Sequence, residues 1–319
     1  MTSFVKAKKA YKNTEFLGSK EARNIRILCE HQETETRLEA SSLKATVLIF
    51  GSARAKSQEE YDNTMSKLNF DLEAAKNSGD EDLIQKTTAE IKRIESGKWM
   101  CALYEQIYEL SKRITEWSTH EHLGSGRDVT GVSRSKSLNN SNQKDGKEHE
   151  SLSPNSQHDA NQSIVICTGG GPGFMEAANK GAASVKGARN VGMGISLPFE
   201  CGLNPYVTES LAFEFHYFFT RKFWMVYHCQ AIVVAPGGVG TFDELFEVLT
   251  LKQTGKIHKD LPVILFGKEF WKTVVNWESL VKFGTVSQKD IDDLYFTDDV
   301  EEAFQYVTQR LSSNVSYQV

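Results

Sequence analysis

The residues Pro236-Gly237-Gly238-Val239-Gly240-Thr241-Phe242-Asp243-Glu244 place three glycines in four positions, then a hydroxyl, then two acids. The apolar run Ala231–Ala235 precedes them, and Phe242, Leu245, Phe246 and Leu249 follow at helical spacing. A strand therefore enters a glycine turn and a helix leaves it. The unpaired amides and dipole at such a helix start attract an anion, and a phosphate is the usual guest. A second turn, Gly169-Gly170-Gly171-Pro172-Gly173, has four glycines in five positions. One or two glycines suffice for a tight connection, so the excess suggests close approach of a ligand to the backbone. Neither turn is the G-x-x-x-x-G-K-[ST] loop of nucleoside triphosphatases, which disfavours that chemistry.

Three further residue groups can act at these turns. Thr241 and Glu244 have capping-box spacing, which by itself explains both residues without chemistry. In the other reading, the Glu244 carboxylate, held ionised by the helix dipole, faces positive charge that develops on a bound sugar. Arg221 lies in a very apolar stretch. It either snorkels to the surface or meets an anion from within, a substrate phosphate or Glu244. Ser52, in Phe50-Gly51-Ser52-Ala53-Arg54, follows another apolar run, so three loops point to one crevice at strand ends.

The elements that must hold these residues are legible as alternating patterns. Apolar runs at Thr46–Phe50, Ile164–Thr168, Val191–Ser196, Ala231–Ala235 and Pro262–Phe266 read as buried parallel strands. Helical patterns separate them, and "IVICTGGGPGFME" and "IVVAPGGVGTFDE" repeat one strand, glycine turn and helix. The fold class is α/β, with a Rossmann-like, mostly parallel sheet and helices on both faces. Lys98–Trp117 reads as a helix through Leu103, Ile107, Leu110, Ile114 and Trp117. Leu211–Cys229 reads as a helix apolar almost all round, buried in a core or at a subunit interface.

Residues 1–45 are expected to form an N-terminal helical extension and 46–319 the Rossmann-like nucleotide-binding domain. Two insertions interrupt it. Gln58–Ser96 reads as a charged helical hairpin around Ser78-Gly79-Asp80, with Tyr61, Met65, Leu68, Leu72 and Ala75 on one stripe. Ser118–Gln162 is polar and aperiodic and cannot bury enough apolar area to offset its ordering entropy, so it is expected to be a disordered loop.

Composition narrows the partners. A net charge of −5 argues against a nucleic-acid surface, and no apolar run is long enough to cross a membrane. The start, Met1 to Thr14, is basic without an apolar core and is no secretory signal, which leaves an organellar leader open. The five cysteines are scattered and odd in number, which reads as buried thiols in a reducing, cytoplasmic setting rather than disulfides. No His or Cys spacing suggests a metal site, and no cofactor is expected.

These motifs resemble a known family. "PGGVGTFDE" fits the P-G-G-x-G-T-x-x-E signature of the LONELY GUY family, and "TGGGPGFMEAANKGA" fits its upstream glycine loop. "FGSAR" and "NPYVTESLAFEFHYFFTRKF" look like its longer bacterial-type subgroup. The resemblance runs from about Glu15 to the C-terminus and is interrupted by the two insertions, which are this chain's departure from the family. It implies a nucleoside 5′-monophosphate phosphoribohydrolase, which releases free base and ribose 5-phosphate. The base would be that of AMP or, in a cytokinin-activating enzyme, of an N6-prenylated AMP. It implies Arg221 and Glu244 as catalytic residues and a homodimer with an active site near the subunit interface. Substrate contacts are expected from Ser52, Gly170, Gly171, Gly173 and Met175 and from the turn Gly237, Gly238, Val239, Gly240 and Thr241. Family members are often labelled lysine decarboxylases, but no lysine stands in a recognisable pyridoxal-phosphate motif. A nucleotide-binding or carrier protein without turnover is the alternative.

Overall fold

The computed structural model describes residues 7–120, 162, 164–197 and 202–316. Seven parallel strands form one sheet in the order β4-β3-β2-β1-β5-β6-β7. They are β1 Ala45–Phe50, β2 Ile164–Thr168, β3 Asn190–Ile195, β4 Ala212–Phe215, β5 Cys229–Val234, β6 Val263–Phe266 and β7 Leu294–Thr297. The helices before the second strand are α1 Thr14–Gly18, α2 Arg23–Ala40, α3 Gln58–Ser78, α4 Glu81–Glu95 and α5 Met100–His120. Those after it are α6 Phe174–Ala183, α7 Phe218–Tyr227, α8 Val239–Gln253, α9 Lys268–Val274, α10 Trp277–Lys282, α11 Gln288–Asp292 and α12 Val300–Ser316.

The sheet is buried on both faces, which is why its strands are continuous apolar runs. Successive residues of β1 feed opposite cores. Val47 and Ile49 meet α5, α6 and α12 through Ile107, Leu110, Phe174, Ala178 and Val307. Leu48 and Phe50 meet the other layer, which includes Trp224 of α7, Leu245 and Val248 of α8 and Trp271 of α9. The order reverses between β1 and β5, so the crevice between their C-terminal ends is the topological switch point.

All five expected strands are present, and two more stand at the edges. β4 corrects the reading of Leu211–Cys229 as one helix. Phe213 and Phe215 are buried while Glu214 between them is exposed, a strand period, and the helix begins only at Phe218. That helix is aromatic on an open face and is not enclosed, since Phe218, Phe219, Phe223 and Tyr227 are exposed.

The hairpin is as expected. Ser57 caps α3, Gly79 ends it in the left-handed region, and the Asp80 carboxylate caps α4. Tyr61 and Ile94 pack with Cys101 of α5 and fix the hairpin to the domain. The expected bounds of Ser118–Gln162 need correction at both ends. Ser118, Thr119 and His120 continue α5, with Ser118 buried. Gln162 is also buried, its Oε1 accepts the Arg189 amide at 2.7 Å, and its Nε2 lies 3.5 Å from Ser118 Oγ. Residues 121–161 and 163 lie outside the described residues. Of the cysteines, Cys101, Cys167 and Cys229 are buried free thiols, but Cys29 is exposed, contrary to expectation. Burial pushes the Cys229 thiol up to about 11 and that of Cys167 higher still, so neither is reactive at neutral pH. Cys201 is outside the described residues.

Candidate active site

Five consecutive amides, from Gly237 to Thr241, find no acceptor among the described residues. They lie where β5 gives way to α8. The first intrahelical bond runs from the Phe242 amide to Gly238 O, so the amides before it are the orphans of a helix start. Gly238, Val239 and Gly240 are exposed, Val239 at 88%. A Cβ on Gly238 or Gly240 would meet nothing within 4 Å. Space and unpaired donors thus coincide at these two glycines.

Gly237 is glycine for another reason. A Cβ there would lie 2.1 Å from Thr241 Oγ1 and 3.0 Å from the Ser52 amide. The Ser52 amide in turn donates to Pro236 O at 2.9 Å, which ties the β1 and β5 loops together. Ser52 is half-buried at that junction.

The capping box is absent. α8 starts at Val239 with Gly238 as its N-cap, so Thr241 and Glu244 lie inside the helix. Thr241 packs under Gly237, and Glu244 turns to Arg221. The Arg221 guanidinium donates from Nη1 to Glu244 Oε1 at 3.0 Å and from Nε to Met193 O at 2.7 Å. Both side chains are largely buried, at 8% and 17% exposure. Arg221 therefore does not snorkel. Burial pushes the Glu244 carboxyl above the ordinary glutamate range, against the lowering pull of Arg221. Lys222, its neighbour, points elsewhere and pairs with Asp243 at 3.0 Å and Glu247 at 2.5 Å.

The first glycine turn meets the same pair. A Cβ on Gly169 would fall 2.1 Å from Arg221 Nη2, and one on Gly171 would fall 2.9 Å from Met175 Cε. Gly170, Gly171 and Gly173 are buried. Gly170 faces Leu203, and Gly173, with φ at +73°, abuts the backbone of Ser52 and Ala53. The glycine content of this turn is accounted for by protein contacts, whereas that of the second turn, at Gly238 and Gly240, is not.

The sequence reading missed the residues that hold the first turn. Asn179 is fully buried on α6, accepting from Thr168 Oγ1 at 2.7 Å and from Asn204 Nδ2 at 2.9 Å. Asn204 also donates to Gly170 O and Gly171 O, each at 3.1 Å, and Thr168 Oγ1 accepts the Gly170 amide. The signal was an asparagine in the alanine-rich run "EAANKGAA", where a polar side chain needs a buried partner. Glu30 of α2 was also missed. Its carboxylate accepts from the His216 amide at 2.8 Å and from Thr220 Oγ1 at 2.5 Å, just ahead of Arg221.

Among the described residues no group of His, Cys, Asp and Glu could hold a metal ion, and no helix is long and apolar enough to cross a membrane. A comparison with curated proteins gives no match. Residues 175–307, less than half of the chain, match the family model described as "Possible lysine decarboxylase". That span holds Met175, Arg221, the second glycine turn and Glu244, so over these residues the chain is similar to the LONELY GUY family by its motifs and by this match alike.

Proposed function

We propose that the protein hydrolyses the N-glycosidic bond of a purine nucleoside 5′-monophosphate, AMP or an N6-prenylated AMP, to free base and ribose 5-phosphate. The observation that carries this reading is the buried Arg221–Glu244 pair at the crevice, beside five unpaired amides. The amides around Gly238 and Gly240 hold the phosphate and fix the sugar, which is catalysis by positioning. Breaking the bond builds oxocarbenium character on the ribose. Glu244 supplies negative charge toward that cation, orients ribose hydroxyls or activates water. Arg221 keeps the carboxylate ionised and polarises the departing base or holds phosphate. Ser52, Gly170, Gly171, Gly173 and Met175 complete the walls.

A decarboxylase using pyridoxal phosphate fits the residues poorly. Such chemistry needs a lysine free to form a Schiff base. Two lysines close in sequence to site residues, Lys56 and Lys222, pair with carboxylates, the first with Glu60 and the second with Asp243 and Glu247, and neither stands in a recognisable pyridoxal-phosphate motif.

A non-catalytic nucleotide binder has one observation in its favour, because Glu244 already has an internal partner in Arg221. Incubation of the protein with nucleotides, free nucleosides and prenylated AMP, with base release measured, decides between the two. Release from monophosphates alone supports hydrolysis; binding of AMP with no base released supports the binder.

The protein acts as a homodimer in this reading. The exposed aromatic face of α7 borders a groove of about 790 Å³ lined by Phe219, Phe223, Val226, Tyr227 and Leu251. A second copy seated there would lie one helix face away from Arg221.

A further inference from the structure

A smaller cavity, of about 210 Å³, opens at the switch point between the β1 loop, the β5 loop and the helical hairpin. Ser52, Pro236 and Gly237 supply its inner wall, and Arg54, Lys56 and Arg93 its charge. Among the described residues no carboxylate lines it. Lys56 and Arg93 pair outward with Glu60 and Glu90, and both acids are well exposed. The exposed Lys56–Glu60 pair is weak and screened, so an anion can compete for that cation; Arg93 holds Glu90 through Nε and Nη2 and keeps Nη1 for a further acceptor. The Arg54 side chain has no hydrogen bond or ion pair among the described residues. Arg93 comes from the hairpin, the segment in which this chain departs from the family it resembles, so the pocket's charge is partly this chain's own.

We propose that this pocket binds a phosphoryl group, distinct from the one seated on the amides of Gly238 to Thr241. Guanidinium forks and an ammonium suit a multiply charged tetrahedral anion. The cavity falls below the roughly 300 Å³ at which pockets for whole small ligands begin, so it takes a phosphoryl group and not a base. Its inner wall shares Ser52 and Gly237 with the candidate active site. Two sources fit the same chemistry: the outer phosphate of a nucleoside 5′-diphosphate, or free phosphate bound beside a monophosphate. The proposal takes from the functional reading only where the first phosphate sits.

The test compares the wild-type protein with Arg54→Ala/Arg93→Ala. Both arginines are exposed, so the variant keeps the fold, which an equal melting temperature registers. Arg54→Gln/Arg93→Gln repeats the loss of charge with a longer side chain. Titration calorimetry with inorganic pyrophosphate and inorganic phosphate reads the pocket, and base release from AMP and ADP reads the active site. Pyrophosphate affinity should fall by about tenfold in the variants, the size of one lost charge-assisted hydrogen bond, while base release from AMP stays unchanged. If a diphosphate tail is the source, wild-type kcat/KM favours ADP over AMP and the variants lose that preference. If free phosphate is the source, added phosphate shifts the KM for AMP in wild type only. Wild-type pyrophosphate affinity retained in both variants, with an unchanged ADP-to-AMP ratio, overturns the pocket. Loss of pyrophosphate affinity in a protein that releases no base from AMP supports the pocket and sinks the functional reading instead.

Discussion

Glu244 can be tested against its own helix. Since it caps nothing, Glu244→Gln leaves the α8 start intact; it removes the carboxylate charge at the crevice and with it the counter-charge of Arg221, so melting temperature is read alongside turnover. Turnover should fall by a factor on the order of 100 or more, as when one key electrostatic group is lost. AMP affinity should change much less, because uniform binding is not what was removed. Near-normal base release by Glu244→Gln would refute a charge role. The pH profile gives a second handle. Burial raises the Glu244 pKa, so its carboxylate is protonated and lost at a higher pH than an ordinary glutamate. The acid limb of kcat/KM should therefore have its midpoint above the usual glutamate range, and Glu244→Gln should lack that limb. The glycines separate in the same way. Gly238→Ala adds a Cβ in open space and should weaken nucleotide binding with little change in melting temperature. Gly237→Ala drives a Cβ into Thr241 Oγ1 and should lower the melting temperature first. Of the two readings the sequence left open for Thr241 and Glu244, the capping box fails because the helix starts at Val239, two residues before Thr241.

At the scale of elements, Arg221 is only as well placed as α7. That helix lacks a side-chain cap of its own, and Glu30 of α2 reaches across to its first turn. Arg37 adds bonds to Ser210 O and Ala212 O and lies over the Phe213 ring, so α2 pins β4 as well. Glu30→Ala should destabilise the fold by about 1 kcal/mol, the usual net size of a lost hydrogen bond. As a positioning residue it should lower kcat more than it raises KM, and Glu30→Gln, which keeps one acceptor, should restore most of the loss. Equal kcat in wild type and Glu30→Ala would free Arg221 from this support. The sheet centre was legible because β1, β2, β5 and β6 are buried Val- and Ile-rich runs, with Gln230 of β5 alone half-buried. The edges were not. β4 and β7 have four residues each, and the phenylalanines of β4 run without a break into those of α7. Two periods joined in one aromatic stretch look like a single helix. The Arg221–Glu244 contact spans 23 residues and two elements, so sequence named Glu244 as one of two anions that Arg221 could meet, beside a substrate phosphate, but could not choose between them.

At the scale of the whole molecule, the question is what covers α7. Phe219 and Phe223 are 56% and 44% exposed, and the groove beside them joins apolar side chains such as Val226, Leu251 and Ile257 to a charged rim of Lys222, Glu247, Lys256 and Lys259. Contiguous apolar surface of this kind marks an interaction site on a soluble protein. In a two-fold dimer the same patch meets itself, so one substitution alters both halves of the contact. Phe219 is exposed and contributes little to the fold of one chain, and Phe219→Glu would place two like charges near the centre of such an interface. The variant should sediment as a monomer where the wild type sediments as a dimer, with far-ultraviolet circular dichroism unchanged. Because α7 carries Arg221, the monomer should also lose base release, and crowding it to high concentration should recover part of both. A wild-type protein that sediments as a monomer at every concentration would remove the second copy from this face. A Phe219→Glu monomer with full base release would keep the dimer but separate it from the chemistry.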